Sequence, residues 1–191
     1  VNATATLAAC VPAAVVLLYR RAWRPGLVWL AGCAAVSLWW IVPLLVLGRY
    51  APPFTEFIES SYVTTRWLNL PEILRGTTSW APFVDTERAA GYALATQPFF
   101  VLVTMTVAAI GLYGLARLPR VWPVMACVGI AILGTHAAWY LNALDGPLAA
   151  LRNLHKFDPL VRIPLLLGFA VATSALPLPR VRDEWLRPGQ G

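Results

Sequence analysis

Five stretches of this chain are apolar for 17 or more residues: Asn2–Leu18, Leu27–Leu47, Pro98–Ala116, Val121–Leu141 and Leu160–Leu178. Crossing the hydrocarbon of a bilayer takes about 20 apolar residues in a helix, within a range of about 17–25. Backbone amides have no water to bond there, so helices are the natural reading of such runs. The pattern predicts an all-α, polytopic transmembrane bundle of about five spans. Pro12, Pro43 and Pro164 fall inside spans and should kink them. Kinks are tolerated where neighbouring helices satisfy the freed carbonyls, which favours a packed bundle over isolated rods.

Composition agrees. The 191 residues are 59% hydrophobic and only 13% charged, too few charges to clothe a water-facing domain of this size. A soluble enzyme and a disordered chain are both excluded. The net charge of +6 is not spread evenly. The short connections after spans one and three, with the segment after span five, carry eight basic and two acidic residues; the other side carries seven of each. The positive-inside rule then makes the basic side cytoplasmic, so the N-terminus is outside and the C-terminus inside. The location implied is the plasma membrane. Trp23, Trp29, Trp122 and Trp185 fall near the inner boundary and Trp139 with Tyr140 at the outer one, as amphipathic rings prefer. That distribution fits a membrane belt and excludes a nucleic-acid partner. Residues 179–191 read as a cytoplasmic basic tail. The first span has no basic leader or cleavage site and the chain has no initiator Met, so it reads as a piece of something longer.

Candidate chemistry gathers on the outer side, in segments 48–97 and 142–159, since long ordered loops usually carry function. In the first, Phe54, Phe57, Ile58 and Tyr62 recur at helical spacing, predicting an amphipathic helix along the membrane surface. Glu56 and Glu59 share one face of it, suited to acid–base or cation work, or simply to a solvated face. Asn69 to Gly76 predicts a second short helix, with Pro71 in its first turn and Gly76 as its C-cap. Trp67 and Trp80 are placed to dock this loop on headgroups or a sugar. In the second segment, Asp145 is predicted to cap a short helix starting near Pro147. Arg152, His155 and Lys156, three and four apart, would project together, with Asn153 adding an amide. Such a group makes a good phosphate cradle, since Arg offers paired hydrogen bonds and Lys a compact charge. Headgroup snorkelling is the alternative.

His136 lies about 22 Å up span four and reads either as a functional intramembrane group or, with Gly134 and Thr135, as an interhelical hydrogen bond at a tight crossing; the second is preferred. No His or Cys spacing suggests zinc, and no metal site is expected, although a divalent cation is compatible with the carboxylates. Cys10, Cys33 and Cys127 read as small buried hydrophobes, and the Asn2-Ala-Thr4 sequon is discounted at a span boundary.

Several blocks resemble a known family: Trp39-Trp-Ile-Val-Pro43, Gly48-Arg-Tyr-Ala-Pro-Pro-Phe54, Phe57-Ile-Glu59, Leu74-Arg-Gly-Thr-Thr-Ser-Trp80 and above all Arg152-Asn-Leu-His-Lys-Phe-Asp-Pro159. They look like the membrane domain of the actinobacterial α-(1→3)-arabinofuranosyltransferases, in the arabinofuranosyltransferase D family, up to about Leu178. The resemblance implies that residues 1–178 are part of a GT-C-type glycosyltransferase domain. It also implies a polyprenyl-phosphate sugar donor, decaprenyl-phosphoryl arabinose. The implied acceptor is the arabinan of arabinogalactan or lipoarabinomannan, with transfer on the extracytoplasmic face. Arg152, Asn153, His155 and Lys156 would hold the donor phosphate, and Glu56 or Glu59 would contact the acceptor or assist a base. Asp158, Arg75 and Trp80 would support them. Such enzymes have more than ten spans and keep a catalytic carboxylate in their first outer loop. The main base is therefore expected upstream of this chain, and the piece alone is expected to be inactive without the remainder of the parent chain. A transporter or flippase segment and a non-catalytic membrane subunit are the competing readings.

Overall fold

A computed structural model describes residues 3–50, 60–84, 88–146 and 148–174, and among them every regular element is helical. The helices are α1 (Ala3–Tyr19), α2 (Trp23–Tyr50), α3 (Ser61–Thr65), α4 (Leu70–Arg75), α5 (Ala81–Val84), α6 (Ala89–Thr96), α7 (Pro98–Leu115), α8 (Val121–Gly134), α9 (Ala138–Asp145) and α10 (Pro159–Ser174). Two 3-10 turns, Ala149–Leu151 and Leu154–Phe157, lead into α10.

Among the described residues, three helical stretches are long and apolar enough to cross a membrane, or four if one bent pair counts as a single span: Trp23–Pro43, Pro98–Leu115 and Leu154–Ser174 are the unbroken ones. The expected first span is a shorter apolar helix, Thr4–Tyr19. The fourth breaks, because α8 and α9 meet at 75°. No proline makes this bend. Instead, the carbonyls freed at the break find side-chain donors: Thr135 Oγ1 bonds the Ala131 carbonyl at 2.5 Å and the Tyr140 hydroxyl bonds that of Ile132 at 2.9 Å. A break at membrane depth is tolerable when the backbone groups it orphans are satisfied in this way.

The bundle is held by close backbone approach. Where α7 crosses α10, a Cβ at Gly111 would lie 2.8 Å from the Leu165 carbonyl oxygen, and Gly114 and Gly168 press on backbone carbonyls more tightly still. On α8, a Cβ at Gly129 would meet Val161 Cγ2 at 2.7 Å and Leu160 Cβ at 2.8 Å. Helices in lipid gain little from hydrophobicity when they associate, so small residues that let backbones touch are the usual means. Pro164 is buried within α10, at the depth of this seam. By contrast, the Trp23–Pro43 stretch of α2 contributes no residue to the buried core and carries exposed Leu27, Val28, Val36, Leu38 and Trp39. Cys10 and Cys33 line an apolar cavity of about 380 Å³ between α1 and α2, whereas Cys127 is exposed, which corrects the buried reading for that thiol.

The first long connecting segment packs deeper than an interfacial loop. Leu68 and Ile73 are fully buried against Leu133, Leu144, Leu154 and Leu160. The predicted surface helix over Phe54–Tyr62 lies mostly outside the described residues; its last part falls in α3, where Ser60 caps the amide of Val63.

Candidate functional site

Helix α4 forms as its residues demand. Asn69 Oδ1 accepts from the Glu72 amide at 3.1 Å, Pro71 stands in the first turn, and Gly76 ends the helix at φ +84°, a conformation that suits glycine. This geometry delivers Arg75 into the bundle. Its guanidinium is buried and bonds Glu72 Oε1 at 2.7 Å, Thr104 Oγ1 of α7 at 2.9 Å, and the carbonyls of Leu94 and Ala95 at 2.9 and 3.1 Å. Glu72 also accepts from the Thr77 hydroxyl. Arg75, expected to support a site, is thus engaged in joining α4 to α6 and α7.

A second arginine, which the sequence reading used only as an outer-side charge, does as much. Arg162, on the first turn of α10, donates from Nη1 to the Leu74 carbonyl and from Nη2 to the Ile73 carbonyl, both at 2.8 Å. These are acceptors that the end of α4 leaves unpaired. The same guanidinium pairs with Asp158 at 3.1 Å and lies 2.8 Å from where a Cβ at Gly76 would stand. An arginine inside an apolar helix was the signal available for finding it. Arg75 and Arg162 together line a cavity of about 160 Å³ whose other walls are Thr104, Val107, Ala108, Leu165 and Leu166.

Asp158 also receives the Thr78 hydroxyl in a long bond of 3.4 Å, and Trp80 Nε1 reaches Asn153 Oδ1 at the same distance. The structure therefore brings Trp80, Asn153, Asp158 and Arg162 to one junction between the two connecting segments. Trp67, by contrast, stacks between Phe83 (ring centroids 4.1 Å apart) and the Arg66 guanidinium (4.4 Å from its ring), so both its faces are occupied.

The cationic loop departs from the helix predicted for it. Instead of one helix beginning near Pro147, the chain makes the two 3-10 turns, separated at Asn153 with φ −75° and ψ 61°. Helical spacing therefore does not govern which side chains meet. Arg152 is 4% exposed, with Nη1 3.9 Å from Asp145 Oδ1. The Nδ1 of His155 is buried and has no hydrogen-bond partner among the described residues. Lys156 is exposed. Leu154 and Phe157 alternate with these side chains and anchor the turn in the core.

Asp145 does not cap a following helix, which is a second correction. It accepts from the Ser61 amide at 2.7 Å and the Ser61 hydroxyl at 2.6 Å, in the first turn of α3 just after its cap Ser60. His136 Nε2 lies 2.7 Å from the Leu68 carbonyl, so it ties the broken span to the first connecting segment rather than to another span. Glu56 and Glu59 lie outside the described residues. Among the described residues, no three His, Cys, Asp or Glu side chains come together as a metal site.

Residues 1–190 match the sequence model of a family described as alpha-(1->3)-arabinofuranosyltransferase, N-terminal GT-C domain. The chain belongs to this family. A Mycolicibacterium smegmatis protein named alpha-(1->3)-arabinofuranosyltransferase is 42% identical to it over 198 residues, covering 94% of this chain and 14% of that protein. A protein of the same name from Mycobacterium tuberculosis is 41% identical over 206 residues, covering 98% of this chain and 15% of its own length. The chain thus spans about one seventh of the curated relatives it matches. No solved structure matches it. An all-helical fold with several apolar helices is what membership of a GT-C domain family requires of it.

Proposed function

We propose that this chain is part of a membrane glycosyltransferase. The enzyme moves arabinofuranose from a polyprenyl-phosphoryl donor, decaprenyl-phosphoryl arabinose, to cell-wall arabinan on the extracytoplasmic face of the plasma membrane. The observation that carries the reading is the family match over residues 1–190. The meeting of the two outer segments at one end of the bundle supports it, because a transfer site needs donor and acceptor elements side by side.

The reaction is a displacement at the anomeric carbon. A carboxylate takes the proton of an acceptor hydroxyl, the hydroxyl oxygen bonds to the anomeric carbon, and the bond from that carbon to the phosphate oxygen breaks. The departing phosphate keeps the electron pair, and nearby cations stabilise its growing charge. Lys156, exposed on the cationic turn, makes the direct contact, while Arg152 contributes charge from behind and Asn153 and His155 complete the cradle. Glu56 or Glu59 contacts the acceptor or assists a principal base contributed by another part of the parent chain. Asp158 and Trp80 hold the junction from which the cradle is hung.

Lys156→Ala in the whole parent enzyme is expected to lower transfer from radiolabelled decaprenyl-phosphoryl arabinose by more than tenfold, with the protein's abundance in the membrane unchanged. Unaltered turnover would remove Lys156 from the site.

A further inference from the structure

The carboxylate of Asp145 stands between the two outer segments. One side accepts from the amide and hydroxyl of Ser61, 84 residues earlier in the chain, at 2.7 and 2.6 Å. The other faces Arg152 Nη1 at 3.9 Å. Asp145 is 46% exposed, yet its carboxylate is bound twice to one residue, and the two bonds are short in the way ionised acceptors favour. Asp145 itself ends α9, the half of the broken span that swings by 75°. The bend therefore carries the carboxylate to Ser61. The Arg152 side is a buried guanidinium, whose charge is costly without a carboxylate nearby.

We propose that Asp145 is a positioning residue for sugar transfer. Its carboxylate locks the first outer segment, at Ser61, in register with the Arg152 end of the donor-phosphate turn. The inference rests on the reading that both outer segments contribute to the transfer site. Misregister between groups that must meet in the transition state lowers the rate of the bound complex more than it weakens binding, and a displacement near 1 Å is enough for a loss of about a hundredfold. The effect should therefore fall on kcat.

The test is steady-state transfer by the whole parent enzyme, using decaprenyl-phosphoryl arabinose as donor, with Lys156→Ala measured in parallel. Asp145→Asn keeps an oxygen for the Ser61 amide and removes the charge. It should lower kcat at least tenfold while the donor KM changes less than threefold. Ser61→Ala should lower kcat by about threefold and Ser61→Thr, which keeps the hydroxyl, should restore it. A donor KM raised tenfold at unchanged kcat would overturn the proposal, since Asp145 would then serve donor binding alone. Reduced abundance with normal turnover per folded molecule would also overturn it, in favour of a purely structural cap. If Lys156→Ala costs activity and Asp145→Asn does not, this inference fails while the transfer site stands. If neither substitution matters, the site reading itself fails.

Discussion

The glycine seam between α7 and α10 and the junction of the two connecting segments are two solutions to one problem: how helices without a hydrophobic driving force are made to stay together. At the seam, Gly111, Gly114 and Gly168 remove side chains so that backbones touch, and specificity comes from the absence of atoms. At the junction, Arg75, Arg162, Asp145 and Asp158 supply atoms instead, each reaching backbone or hydroxyl groups of a segment remote in sequence. The seam tolerates no addition. The junction tolerates no subtraction, because each missing donor leaves a half-buried acceptor unpaired.

The largest effect should come from adding atoms at the seam. Gly114→Val drives a side chain into the Gly168 backbone, and helix separation should cost more than about 3 kcal/mol, since nothing soft is there to yield. Recovery of folded parent protein after detergent extraction should collapse. Normal recovery would mean that the seam is loosely packed and that the comparison fails.

Subtracting at the junction comes next. Arg162→Gln strands the Ile73 and Leu74 carbonyls and leaves Asp158 with a lost partner, a loss of about 2–3 kcal/mol. It should lower the midpoint of thermal unfolding in micelles and, through the displaced turn, reduce transfer. Arg162→Lys, with a single ammonium for a forked guanidinium, should recover only part of this. Full recovery by lysine would show that charge alone matters there.

The smallest effect belongs to the tie across the break. His136→Phe removes one hydrogen bond to the Leu68 carbonyl and should cost about 1 kcal/mol, with faster amide exchange confined to residues near Leu68. Exchange that quickens throughout α8 instead would show that this bond holds the bend itself.

Much of the fold was legible because its signals are local. Apolar runs marked the helices, and Asn69, Pro71 and Gly76 marked both ends of α4, since caps answer to the few residues beside them. The break at Gly134–Ala137 was not legible. Its stabilising partners, Tyr140 on Ile132 and Leu68 on His136, act through tertiary geometry that no proline announces. The cationic turn was misread for a related reason. Helical spacing suggested one face for Arg152, His155 and Lys156, but burial of Leu154 and Phe157 draws the chain into two tight turns and sinks Arg152 beside Asp145. Asn153 and Trp80 were each singled out from the sequence, yet their bond to one another depends on a chain reversal 73 residues long.

What the sequence by itself determined is therefore the solvent and the class: hydropathy makes this a helical membrane protein, and its polar residues gather in the segments that join the apolar runs. Those are properties of composition and of short-range order, and they survive any rearrangement of the helices. Only the tertiary structure decided which charges remain available. Arg75 and Arg162 are occupied by backbone carbonyls, whereas Lys156 is left exposed. The reason is physical: a guanidinium near lipid must find oxygen acceptors, and which acceptors lie within about 3 Å is a matter of packing.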